Sequence, residues 1–290
     1  MANLAQRLPT NIAGDFFVDS TCIDCDQCRE IAPQVFGDGD GHASVLRQPD
    51  SEPMLQGALR ALVTCPVGAI GSEQRHPLSP IVSGFPEPVA ENVHFCGFAS
   101  PHSFGASSYL IVRKEGNVLV DSPRFAARLV RKMEELGGVR WMFLSHVDDI
   151  ADHALFRRHF GCERIIHSHE VRSATADIER KLEGNEAQTL GPDLLAIPTP
   201  GHTRGHSVLL YRNQFLFTGD HLWWSPARKQ LSASRTYCWY SWPKQVESMR
   251  RLLEYRFEWV LPGHGHRHHL TEAQMHDSLV RCVEWMKGSR

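Results

Sequence analysis

Three apolar runs in the C-terminal half of the chain each close on a residue able to bind a metal: Thr199-Pro200-Gly201-His202-Thr203-Arg204-Gly205-His206, then Phe217-Thr218-Gly219-Asp220, then Leu261-Pro262-Gly263-His264. The intervals are those at which a buried strand ends in a loop. Catalytic metal sites are commonly assembled this way, because a rigid strand holds each ligand in place. The chain must therefore fold so that several strand ends meet.

The 290 residues fit one large or two ordinary domains, and the 42% apolar content supplies a packed core. The 31 basic and 33 acidic residues nearly cancel, to a formal charge of −2, with no run of five like charges. Nucleic acid and anionic membrane surfaces thus have no electrostatic footprint here, which leaves a small molecule or a protein as the expected partner. No stretch approaches the ~18 apolar residues of a membrane span, and Met1-Ala2-Asn3-Leu4 opens no basic-then-apolar leader, so a cytoplasmic protein is expected. The 8 cysteines are spaced for a cofactor rather than for disulfides, and the 17 histidines point to metal chemistry.

Pro77, Pro80, Pro86 and Pro88, with Ser79, Ser83 and Gly84 between them, predict an extended, non-helical linker over 76–90. It divides a cysteine-bearing unit at 1–75 from a unit at 91–290 in which strands and helices alternate. In the second unit the apolar periodicity predicts strands at 109–112, 118–120, 141–144, 163–167, 193–197, 207–211, 214–218 and 258–261. Helices are predicted at 124–136, 151–160, 171–182, 243–256 and 271–287.

In the first unit, Cys22, Cys25 and Cys28 form C-x2-C-x2-C, and Cys65-Pro66 follows 37 positions after Cys28. Three thiolates on one tight loop and a fourth brought back by the fold suit a cubane that needs four sulfurs. A four-cysteine zinc site more typically pairs two short C-x2-C elements, so the three-plus-one partition favours iron–sulfur. The segment 14–72, including Ala32-Pro33 and Val67-Gly68-Ala69-Ile70, resembles the bacterial ferredoxins. Two-cluster ferredoxins carry a further cysteine where Ala32 stands, so the resemblance implies an α+β ferredoxin-like domain with a single [4Fe–4S] cluster. Asp38-Gly39-Asp40-Gly41 lacks the carboxylates of a calcium loop and reads as a hairpin turn. Cys282 reads as a core residue, and Cys238 lies among aromatics near the expected pocket.

In the second unit, Ser145-His146-Val147-Asp148-Asp149-Ile150-Ala151-Asp152-His153 begins where the strand 141–144 ends. With His202, Asp220 and His264 it resembles the metallo-β-lactamase superfamily, whose mark is an H-x-H-x-D-H loop followed by remote His, Asp and His ligands. The resemblance covers 92–290 and implies an αβ/βα sandwich with two divalent metal ions, Zn or Fe, at one edge. It assigns His146 and His202 to one ion, Asp152, His153 and His264 to the other, and Asp220 to the bridge between them. The loop here is two residues longer than the family's and has Asp148-Asp149 where a histidine stands. Either Asp148 or Asp149 then replaces that ligand, or the first metal site is weak; a carboxylate there resembles the H-x-E-x-D-H of flavodiiron proteins, and harder oxygen donors shift preference towards iron or manganese. His206 is expected beside the site rather than on the metal, His221 to orient a ligand or substrate, and His266, His268 and His269 to face solvent.

The implied chemistry is hydrolysis, a hydroxide shared by two metals attacking an ester, thioester or related bond. Asp152 would be the catalytic carboxylate, orienting that hydroxide and passing its proton on. The fused cluster would then be structural, regulatory or electron-transferring. The alternative is a di-iron oxidoreductase fed with electrons by the cluster, for which a redox protein is the expected second partner. Trp223, Trp224, Tyr237, Trp239, Tyr240 and Trp242, with Arg228, Lys229 and Arg235, are expected either to wall a pocket for an anionic small molecule or to cover the sheet edge.

Overall fold

A computed structural model describes residues 2–288. The chain falls into two compact units: one runs up to Arg140 and includes Ala151–Gly161, the other joins Trp141–Ile150 to Cys162 onward.

In the first unit the cysteine-bearing segment is built on the antiparallel pair Phe16–Val18 and Ile70–Ser72, the hairpin Phe36–Asp38 with Ala43–Val45, and the helices Gln27–Ile31 and Glu52–Thr64. The hairpin turns at Asp40 and Gly41, both at positive φ, as the Asp38–Gly41 sequence predicts. Its core is small and aromatic, with Phe16, Phe17, Phe36, Val35 and Val45 buried. The strands Glu87–Ala90, Val93–Phe95, Tyr109–Ile111 and Val118–Val120 follow as an antiparallel meander. The helices Ala127–Glu135 and His153–Phe160 complete the unit.

The proline-bearing stretch differs from the predicted extended linker. Ser79–Ser83 is a short helix with Pro80 in its first turn, where the missing N–H costs nothing, and Glu87–Ala90 is an edge strand of the meander, where Pro88 is tolerated. The segment is thus built into the first unit.

In the second unit, Trp141–Phe143, Glu163–His167 and Arg180–Leu182 pair in parallel. The helix predicted over 171–182 is absent. Thr175 Oγ1 instead binds the Glu170 carbonyl at 2.9 Å, and Glu179 binds the buried Arg164, which draws 180–182 alongside 165–167 as a strand. Side-chain capture of the backbone outweighs helical periodicity here.

A six-stranded sheet runs in the order Gln188–Gly191, Leu194–Pro198, Ser207–Tyr211, Phe215–Gly219, Trp259–Pro262, His268–His269. Ser207–Tyr211 and Phe215–Gly219 are buried along their whole length. Val208, Leu210, Leu216 and Val260 pack with Met249 and Leu252 of helix Trp242–Leu252 and with Leu279 and Val283 of helix Glu272–Gly288. Leu209, Tyr211, Phe215 and Phe217, on the alternate positions, are buried on the opposite face.

Strand direction gathers the ligand loops. Phe215–Gly219 and Trp259–Pro262 are parallel neighbours, so Asp220 and His264 emerge at the same sheet edge. Leu194–Pro198 ends, and the antiparallel Ser207–Tyr211 begins, at that edge, which brings the loop 199–206 there too.

Candidate metal centres

Four candidate ligand atoms of the second unit form a ring: His146 Nε2, Asp148 Oδ2, His202 Nε2 and Asp220 Oδ2. The successive separations are 3.8 Å from His146 to Asp148, 3.9 Å from Asp148 to His202, 3.8 Å from His202 to Asp220, and 3.8 Å from Asp220 back to His146. Ligands about a tetrahedral ion with ~2.0–2.1 Å bonds stand roughly 3.4 Å apart, a few tenths closer than this ring. Asp149 lies on the other side of His146, where His146, Asp149 and Asp220 form a second group of converging ligand atoms. Asp148 and Asp149 thus both stand near His146, at 3.8 Å from Nε2 and 4.0 Å from Nδ1 respectively.

Electrostatics agree with a cation there. The Nε2 atoms of His146 and His202 are buried without a hydrogen-bond partner, which costs about 1–3 kcal/mol per atom when nothing else engages them. Ser145 Oγ lies 2.9 Å from His146 Nδ1, and when Nδ1 donates to it, Nε2 presents its lone pair to the ring. Burial pulls the His146 pKa down to about 3 against the opposing pull of Asp220. Burial raises Asp148, assisted by Asp220 and Glu170 and opposed by His202. Burial likewise works to raise Asp220, but His264, His146 and His202 prevail and hold its carboxyl well below the usual carboxylate range. A neutral His146 beside an ionised Asp220 is a state a divalent ion binds, so the residues fit such an ion.

Close approaches keep the ring tight. A Cβ on Gly263 would stand 2.6 Å from Asp149 Oδ2 and 2.8 Å from Asp220 Oδ1. Gly219, at φ +47°, leaves room for Ser145 Oγ and His206 Nε2, which a Cβ would meet at 2.6 and 2.8 Å. His264 Nδ1 lies 2.8 Å from Asp220 Oδ1 and 2.9 Å from Oδ2. Asp152 and His153 belong to the first unit, where Asp152 Oδ2 accepts from the Phe125 N–H at 2.7 Å and His153 is buried at the start of helix His153–Phe160.

Behind the ring stand two more buried imidazoles. His206 stacks on His221 with centroids 5.1 Å apart, and its Nδ1 lies 2.9 Å from Thr199 Oγ1. Burial drives both pKa values down, that of His221 to about 3. Glu170, which motif reading does not single out, is fully buried and grips both ligand loops: Oε2 accepts from the Val147 N–H at 3.0 Å and Oε1 from the Gly205 N–H at 2.6 Å. Its only sequence signal is a charged residue just past a buried strand.

The aromatic segment divides. Trp224 stacks on His268 at 3.7 Å, and Arg228 lies 4.0 Å over Trp285, whose ring Trp242 meets edge-on. These cover the sheet edge, and His268 is thereby half-buried. Tyr237, Trp239 and Tyr240 remain 62%, 63% and 49% exposed. The N–H groups of Trp239 and Tyr240 both donate to the His202 carbonyl, at 2.9 and 3.0 Å, and the Trp239 ring lies 6.2 Å from the His202 ring. Cys238 Sγ donates to the Gly201 carbonyl at 3.1 Å, and burial raises its thiol pKa, so it serves the loop rather than acting as a nucleophile.

In the first unit Cys22, Cys25, Cys28 and Cys65 line one cavity with Val18, Ile23, Ala43 and Ile70. Asp24 and Asp26 take positive φ, which lets the loop turn sharply between the cysteines, and Arg29 bridges both carboxylates. Backbone N–H groups point at the sulfurs: Asp24 N is 3.5 Å from Cys22 Sγ and Ala69 N is 3.3 Å from Cys65 Sγ. Burial and the neighbouring thiolates push Cys25 up to about 12 and Cys28 well above the ordinary range. Four thiols on one cavity, one buried and three partly buried, with backbone N–H groups aimed at two of the sulfurs, fit an iron–sulfur group.

The sequence matches the metallo-beta-lactamase superfamily over residues 103–264, and the chain belongs to that superfamily. Residues 18–72 match the 4Fe-4S single cluster domain of Ferredoxin I, so this member carries a ferredoxin domain ahead of the family's own. Among solved structures, VMB-1 is similar at 16% identity and TM-score 0.54, over 70% of this chain and 96% of its own. The metallo-beta-lactamase from Pontibacter korlensis gives 17% and 0.54, over 70% and 98%. DIM-1, solved after exposure to ceftazidime, gives 18% and 0.53, over 69% and 95%. At these identities the likeness is one of fold. No curated protein matches the chain in sequence.

Proposed function

We propose that the chain is a dinuclear metallohydrolase acting on an ester, thioester or related bond of a small molecule, with a [4Fe–4S] cluster on Cys22, Cys25, Cys28 and Cys65. The observation that carries this is the ring of His146, Asp148, His202 and Asp220, with Asp149 on its far side. Divalent ions bound there would supply Lewis acidity and a water acidified from ~15.7 towards ~7.

The chain's own residues do the rest. Asp220 stays ionised and is held in orientation by His264, while Ser145 fixes the His146 tautomer. Glu170 keeps the two histidine loops in register. The family pattern assigns Asp152 and His153, with His264, to the second ion, and Asp152 to proton transfer. Tyr237, Trp239 and Tyr240 offer an exposed aromatic rim beside His202 on which the substrate's apolar part can rest. Arg235, in the same segment, is a candidate contact for an anionic substrate.

The carboxylates also support a second reading. Two nitrogens and two hard oxygens in the ring suit iron as well as zinc, and iron there would favour a di-iron oxidoreductase fed by the cluster, with a redox protein as partner. The test is turnover of aryl esters and thioesters by zinc-loaded protein, with the cluster oxidised and then reduced by dithionite. Turnover in both states, lost on chelation, supports the hydrolase; no turnover with zinc, together with dioxygen or nitric oxide consumption by the iron-loaded, reduced protein, supports the oxidoreductase.

A further inference from the structure

The loop between strands Val93–Phe95 and Tyr109–Ile111 lies outside the ferredoxin match, yet it meets the cysteines. Gly105, at φ +88°, comes so close to Cys25 that a Cβ there would stand 2.7 Å from Cys25 Cβ, 2.8 Å from Cys25 Sγ and 3.2 Å from Pro66 Cγ. Two residues on, Ser107 Oγ accepts from Gln27 Nε2 at 2.8 Å, a bond buried at both ends, with Gln27 2% and Ser107 4% exposed. Gln27 sits between two of the cysteines. Ser100 holds the start of the loop by accepting the His102 N–H at 3.2 Å.

We infer that the segment Phe104–Ser107 completes the cluster site: of two residues contributed by the metallo-β-lactamase part of the sequence, Gly105 shields the [4Fe–4S] group beside Cys25, and Ser107 is a positioning residue that holds Gln27 between two of the cysteines. Only glycine gives both the left-handed backbone and the space beside the sulfur. Solvent access and hydrogen bonding around the sulfurs govern how readily such a cluster is oxidised and at what potential it is reduced. The cluster site is then lined by both parts of the sequence at once. This rests on the cluster assignment above. Iron and acid-labile sulfide in the parent protein test that assignment first and separately.

The inference is tested on the full chain purified without oxygen, by iron and sulfide content and by the rate at which the visible absorbance bleaches in air. Gly105→Ala is expected to hold less than half the parent's iron. Ser107→Ala is expected to keep near-parent iron but to bleach several-fold faster, with a shifted midpoint in dithionite titration followed by EPR. Circular dichroism and zinc content show whether each variant is folded, and if Gly105→Ala is not, Ser107→Ala decides alone. An iron deficit or faster bleaching in a folded variant supports the composite site. Parent-like iron, bleaching rate and midpoint in every folded variant overturn it.

Discussion

Glu170 Oε1 accepts from the Gly205 N–H at 2.6 Å, which ties the turn after strand Glu163–His167 to the loop carrying His202. Its other oxygen takes the Val147 N–H, next to His146, so one buried carboxylate sets the spacing of two candidate ligand histidines. Replacing Glu170 by alanine strands both N–H groups and is expected to cost roughly 3 kcal/mol of stability. The milder Glu170→Gln keeps an acceptor and should lower metal affinity about 10–100-fold, the usual effect of disturbing a ligand's support. Competition with a chromophoric chelator reads the affinity, and thermal unfolding of the metal-free protein reads the stability.

Gly263→Ala is expected to release metal while leaving the fold intact. The added methyl falls between Asp149 and Asp220, at 2.6 and 2.8 Å, and forces the carboxylates apart. Metal content after dialysis should fall well below that of the parent, with an unchanged circular dichroism spectrum.

Acid should destabilise the metal-free protein. Burial depresses the pKa values of His146 and His221 to about 3 and lowers that of His206, against ~6.5 when unfolded. In that interval the unfolded chain binds more protons. Stability is therefore full above ~6.5 and is lost as pH falls towards 3, by up to about 1.4 kcal/mol per pH unit for each group. The Tm of the metal-free chain should drop between pH 7.5 and 5.5, and more gently in His221→Phe.

Trp239→Ala should raise KM for aryl substrates by several-fold to about tenfold, roughly 1.4 kcal/mol at the upper end, with kcat changed less and metal content unchanged. Trp224→Ala, which breaks the stack on His268, should lower Tm without this KM effect.

The convergence of His146, His202 and Asp220 was legible because each follows an apolar run. His146, His202, Asp220 and His264 stand at strand ends, and parallel pairing of Phe215–Gly219 with Trp259–Pro262 turns sequence spacing into proximity. The helical periodicity of 171–182 misled because Arg164, buried by Glu179, recruits 180–182 into a sheet, a long-range ion pair that no local pattern reports. The prolines at 80 and 88 read as a linker, but each occupies a position where a missing N–H is harmless. Glu170 and Gly105 were illegible for the same reason, since their partners are remote in sequence.

The central claim is a hydrolytic metal pair beside a separate cluster, and elemental analysis of anaerobically purified protein tests it most directly. Iron, zinc and acid-labile sulfide would be measured together, with EPR before and after dithionite. The account predicts about four irons with sulfide and two zincs per chain, with a signal from the reduced cluster alone. About six irons, no zinc and an added mixed-valence di-iron signal would contradict it.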